Sequence, residues 1–149
     1  MERIERSISI RAPIRAVYNQ WTQFEEFPDF MEGIREVAQQ SERALFWRAE
    51  IGGKEVTWLA EIYEQIPDVR IAWKSVTGAP QAGAVSFRSL GPEQTQIDLA
   101  IDYVPLGAVE KVGDALGLVG ARVEGDLQRF KSFIEDRQVA TGAWRGTIR

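Results

Sequence analysis

Neither cysteine nor histidine occurs in this sequence. Without cysteine there is no disulfide, no thiolate nucleophile and no thiolate metal ligand. That agrees with a reducing compartment, and the chain is expected to be cytoplasmic. The lack of histidine is more restrictive. It excludes Ser-His-Asp and Cys-His catalysis, imidazole proton shuttling and His-ligated metals. No metal and no cofactor are expected. There is no run of lysine and arginine either, and the net charge is −4, so no nucleic-acid partner is expected, because phosphate binding needs a clustered basic face. No stretch approaches about 18 consecutive apolar residues, so no transmembrane segment is expected. The opening "MERIERSISIRAP" carries charges where a signal peptide needs its apolar core.

Other features are ordinary or abundant. A chain of 149 residues is expected to form one domain, residues 1–149. Hydrophobic content of 44% and charged content of 27% are globular values. "RIERSISI" alternates Ile4, Arg6, Ile8 and Ile10 against Glu5, Ser7 and Ser9, a period-2 strand. Pro13 suits the first turn of a short helix carrying Ile14, Val17, Tyr18 and Trp21. A second short helical piece carries Phe24 and Phe27, and Pro28 is expected to end it.

From Gly33 the pattern becomes strands. "IREVAQQ" is followed by "ALFWRAEI", whose Leu45, Trp47, Ala49 and Ile51 share one face. Gly52-Gly53 turn the chain into "EVTWLAEIYEQI", where Val56, Trp58, Ala60 and Ile62 alternate. "RIAWKSVT" places Ile71, Trp73 and Ser75 together, "AVSFRSL" presents Val85 and Phe87, and "TQIDLAIDYVP" sets Ile97, Leu99, Ile101 and Tyr103 against Gln96, Asp98 and Asp102. Turn signals about every ten residues, with no helix between, predict an antiparallel meander of about six strands. After Pro105 the period becomes 3.6. Val109, Val112, Leu116, Val119, Val123, Leu127, Phe130 and Ile134 mark one stripe of a helix of about thirty residues. A sheet with one apolar face must cover it, and the final helix is the only large amphipathic element available.

This order of elements resembles the helix-grip (START/Bet v 1-like) fold of the START-like (SRPBCC) superfamily over the whole chain. "ISIRAPIRAVYNQWTQFEEFPDFMEGIREV" is similar to the opening of its polyketide cyclase/dehydrase branch. "EIYEQIPDVRIAWKS", "VPLGAVEKVGDALG", "DLQRFKSFIE" and "GAWRG" are similar to an uncharacterised bacterial subfamily of that branch. The resemblance implies an α+β fold with a curved antiparallel sheet of about seven strands on a long C-terminal helix, and two short helices after the first strand. It implies a cavity between sheet and helix for a hydrophobic or aromatic small molecule, lipid- or polyketide-like. It does not fix a reaction, since relatives include lipid carriers, hormone-binding proteins and cyclases.

Several residue sets become candidates for that cavity. Trp47, Trp58 and Trp73 fall on the inner faces of three successive strands, with Phe87, Leu99, Ile101 and Tyr103 on others. They are either plain core or a cavity wall, and three neighbouring indoles, each with an N–H wanting a partner, favour the wall. Gly113, Gly117 and Gly120 lie at i, i+4 and i+7 beside Leu116. Each costs about 1 kcal/mol in a helix, so that face either packs closely or leaves room for a ligand. Phe27, Phe30 and Met31 stand on the turn around Pro28, as an apolar rim or as a plug sealing the sheet. The inward polar groups are Ser75, Tyr103 and Arg6, while Glu50, Asp98 and Asp102 point outward by parity. Tyr103 is a candidate proton donor without a base beside it; a strand bulge would change this assignment. Trp144 is expected to pack the tail back on the body, with Arg145 pairing a surface carboxylate.

The leading expectation is a non-catalytic binder of a hydrophobic small molecule. One alternative is a polyketide cyclase/dehydrase-type enzyme; another is an interaction module whose apolar groove takes a segment of another protein. The sequence leaves the oligomeric state open.

Overall fold

The computed structural model describes residues 2–51, 53–78, 80–103 and 113–149, with side chains described over the same ranges except 2, 51 and 113–119. Strand β1 (Glu2–Ile10) precedes helix α1 (Ile14–Trp21) and a 3-10 turn (Phe24–Asp29). Six strands follow: β2 (Ile34–Gln39), β3 (Ala44–Ile51), β4 (Lys54–Ile66), β5 (Arg70–Gly78), β6 (Gln81–Gly91) and β7 (Gln94–Tyr103). Helix α2 (Gly113–Arg137) comes last. All strands join one antiparallel sheet in the order β1-β7-β6-β5-β4-β3-β2. The first strand thus pairs with the last, and the sheet curls around α2 as the helix-grip fold requires.

Pro28 does not terminate its helical piece but lies inside the 3-10 turn. Such a short turn tolerates it, since few of its N–H groups have internal partners to lose. The chain then closes through Met31 N–H donating to the Phe27 carbonyl at 2.7 Å. Within the described residues α2 spans 25 residues; Val109 and Val112 of the expected stripe lie outside them. The helix stops where Gln138 takes a positive φ of 62° and its N–H bonds the Ile134 carbonyl at 2.7 Å, an αL-type close.

The core is aromatic at one end. Trp21 packs edge-on to Phe27, Phe87 and Phe130 at 5.5, 6.2 and 5.0 Å between ring centres. Phe30 lies between Phe130 and Phe133 of α2 at 5.3 and 5.4 Å. With Leu127 and Ile134 also buried, the C-terminal half of α2 seals this end. Edge-to-face pairs of this kind contribute about 0.5–1.5 kcal/mol each beyond area burial. The tail closes over α1: Arg145 pairs with Asp68 at 2.7 Å and donates to Asn19 Oδ1 at 2.6 Å. Ile148 exchanges two backbone bonds with Gln65, both 2.8 Å.

Candidate ligand cavity

The cavity is built from strand parity. Alternation along β3 turns Leu45, Trp47 and Ala49 inward, and the register sets Trp47 opposite Trp58 of β4. The two indoles stand nearly parallel, 8° apart in plane and 5.7 Å between centres. Trp73 of β5 joins them, lying across Gly83 of β6, its register partner. A side chain at Gly83 would enter the indole ring, so here a glycine makes room for a close approach. Leu99, Ile101 and Tyr103 of β7 continue the wall. Phe24, Phe27 and Met31 supply one side, and Val123 and Leu127 of α2 the roof.

The cavity has a volume of about 170 Å³. A single water needs only about 10–15 Å³ of such volume, so the space suits an organic molecule. Its lining is overwhelmingly apolar. Two polar atoms in the wall stand out: the indole nitrogens of Trp47 and Trp58 are closed off from solvent and meet no acceptor among the described residues. A buried donor left unpaired costs about 1–3 kcal/mol.

One edge of the cavity is polar. Asp126 of α2 has only 13% of its side chain exposed. It accepts the Glu32 N–H at 3.0 Å and pairs with Arg129. Burial pushes its carboxyl above the ordinary aspartate value, and the Arg129 bond pulls it partly back. Arg129 also donates to the Phe30 carbonyl at 2.9 Å. Arg122 donates to the Glu50 carbonyl at 2.8 Å and lies across Gly33, whose φ of 90° is one that L side chains rarely adopt. These two arginines fasten the roof helix to the rim.

The candidate residues divide. Trp47, Trp58, Trp73, Leu99, Ile101, Tyr103, Phe27 and Met31 line the cavity. Phe30 and Phe87 do not: Phe30 sits under α2, and Phe87 packs edge-on to Tyr18 of α1 at 5.2 Å. Gly120 does not line it either, because its face meets the Arg6 guanidinium of β1. Gly113, Leu116 and Gly117 lie outside the residues whose side chains are described. Ser75 Oγ accepts the Gln81 N–H at 2.9 Å and so ties the β5–β6 turn. Asp98 stays outward, held below the usual carboxylate range by bonds from Ser7 and Gln96. Asp126 and Arg122 are absent from the sequence-derived set. The signal was available: with Val123, Leu127 and Phe130, position 126 completes an i, i+3, i+4, i+7 face, so a carboxylate lies within the apolar stripe.

The sequence matches the family model described as polyketide cyclase / dehydrase and lipid transport over residues 10–131. An uncharacterised 17.2 kDa protein of Streptomyces lincolnensis is 46% identical over 149 residues, covering 99% of each chain. The Zhui aromatase/cyclase of a Streptomyces strain has a similar fold, with a TM-score of 0.77 at 18% identity over 96% of this chain and 99% of that one. A START superfamily protein of Mycobacterium smegmatis aligns with a TM-score of 0.68 at 16% identity, over 91% and 95% of the two chains. The chain belongs to the polyketide cyclase/dehydrase and lipid transport family, on a START-like helix-grip fold.

Proposed function

We propose that the protein binds a hydrophobic, largely aromatic small molecule between its curved sheet and α2. One observation carries the reading: a space of about 170 Å³ walled by Trp47, Trp58, Trp73 and Phe27. Aromatic walls offer broad apolar contact with few polar atoms to satisfy, as small-molecule sites do. The experiment is a titration with an anilinonaphthalene sulfonate, exciting tryptophan and reading energy transfer to the probe. Binding at one site per chain with quenched tryptophan emission is expected. Unchanged emission through a full titration refutes a cavity open to ligands.

A second reading, a cyclase- or dehydratase-type reaction, is favoured by Asp126. A carboxyl raised by burial and bordering an apolar cavity is placed to exchange protons with a bound ketone or alcohol. Tyr103, also in the lining, is the second proton-bearing group. Turnover of a poly-β-ketone mimic, wild type against Asp126→Asn, decides it. Turnover that is lost in the variant while probe affinity holds supports catalysis; no turnover by wild type leaves the protein a binder.

A further inference from the structure

We propose that the indole N–H groups of Trp47 and Trp58 form a donor subsite, selecting an aromatic ligand that carries an acceptor oxygen over a hydrocarbon of the same shape. The inference rests on the cavity reading above and adds a specificity to it. The two residues face each other across the β3–β4 ladder and both line the cavity. They are 8% and 5% exposed, yet neither Nε1 meets an acceptor among the described residues.

An indole nitrogen only donates, so the missing partner is an acceptor. A ketone, quinone or ether oxygen supplies one, and an alkyl chain does not. The side chains of Phe27, whose ring centre is 5.7 Å from that of Trp47, and of Val56 and Leu99 in the same lining offer only carbon, and the polar side chains of the lining bond neither nitrogen. Such a site discriminates steeply. A buried donor built to meet an oxygen rejects an analogue lacking that oxygen more strongly than an apolar pocket registers a missing methylene. Both nitrogens are closed off from the cavity's own space as well as from outside solvent, so a bound oxygen has to turn an indole to reach its N–H. Ligand binding and indole rotation are then one event, visible in solution.

The test compares fluorenone with fluorene, planar tricycles differing only by a carbonyl in place of a methylene. Wild-type protein labelled with nitrogen-15 gives indole N–H resonances for its five tryptophans, assigned through Trp47→Phe and Trp58→Phe. Affinities are measured by calorimetry. Fluorenone is expected to bind about tenfold or more tightly than fluorene and to move the Trp47 or Trp58 indole proton downfield. In the double variant the ratio of fluorenone to fluorene affinity should fall towards one, whatever the lost wall contact does to both affinities alike. Equal affinities with unmoved indole resonances overturn the donor subsite and leave the cavity reading intact. Failure of both probes to bind removes the cavity reading and the subsite with it. Indole protons that are already downfield and slow to exchange before any probe is added also overturn the proposal, because an internal partner then holds them. The wild-type comparison needs no variant to fold.

Discussion

Gly120→Ala separates the two meanings of the helix glycines. A Cβ at this position would lie 2.5 Å from Arg6 Nη2 and 3.5 Å from Arg6 Cζ, with no backbone among its close neighbours. What must yield is the far end of a flexible side chain. Arg6 is 38% exposed, donates to the Glu5 carbonyl at 2.8 Å, and stands 3.9 Å from Glu124. Water replaces much of what a displaced, partly exposed guanidinium loses, and an exposed ion pair of this kind contributes about 0–1 kcal/mol. Against that, alanine gains about 1 kcal/mol of helix propensity. The expected net change is a stabilisation of about 0–1 kcal/mol, by difference of those two figures. In an Arg6→Ala background nothing opposes the gain, and the same substitution should stabilise by about 1 kcal/mol, a rise in Tm of about 2–4 °C. Urea melts of the four proteins in this cycle, each with a probe titration, measure both quantities. Probe affinity should stay at the wild-type value throughout, because Gly120 faces β1 and not the ligand. A fall in affinity in Gly120→Ala, or a loss of stability that persists without Arg6, refutes the assignment.

Three other outcomes follow from named contacts. Gly83→Ala drives a methyl into the Trp73 indole, so the ring must move and probe affinity should fall several-fold, with overpacking costing about 1–3 kcal/mol; unchanged affinity would separate Trp73 from the ligand. Arg145→Ala removes the pairs to Asp68 and Asn19 and the contact over the Tyr18 ring at 5.3 Å, costing about 1–3 kcal/mol in a melt while probe binding holds; an unshifted melt would show the tail to be unanchored. Asp126 has a raised pKa in the folded chain, so the native state keeps a proton that the unfolded state has already released. Its contribution is complete below the ordinary value of 3.8 and is lost as pH rises through the folded value. Asp126→Asn should remove that decline, so the variant gains on wild type from acid towards neutral pH in paired urea melts, and an opposite trend would mean that Arg129 outweighs burial.

Much of the fold was legible because a one-faced sheet leaves its parity in the sequence. Trp47, Trp58 and Trp73 could be assigned to the inner face since a one-residue slip would expose all of them. Parity identifies a face but not the position along it. The inner face extends beyond the cavity, so Phe87 shares the parity of the lining residues yet lies under α1, against Tyr18 and Trp21. Phe30 is similar: the turn around Pro28 places it against Phe133 and Phe130, whereas Phe24, Phe27 and Met31 reach the cavity.

The helix shows the same limit in a different form. A 3.6 period reports which residues share a side, but it says nothing of what stands opposite. By period Gly120 shares a side with Gly113 and Gly117, and its counterpart is an arginine on β1, paired with Leu99 in the β1–β7 ladder. Asp126 sits within the apolar stripe, and its counterpart is a backbone N–H at Glu32. Both partners come from distant sequence, brought in only when β1 closes on β7 and the rim loop folds under α2. A charged residue within an apolar period is therefore the stronger clue to a site, because burial makes it find a partner. A glycine within that period can be explained by any neighbour that needs the room.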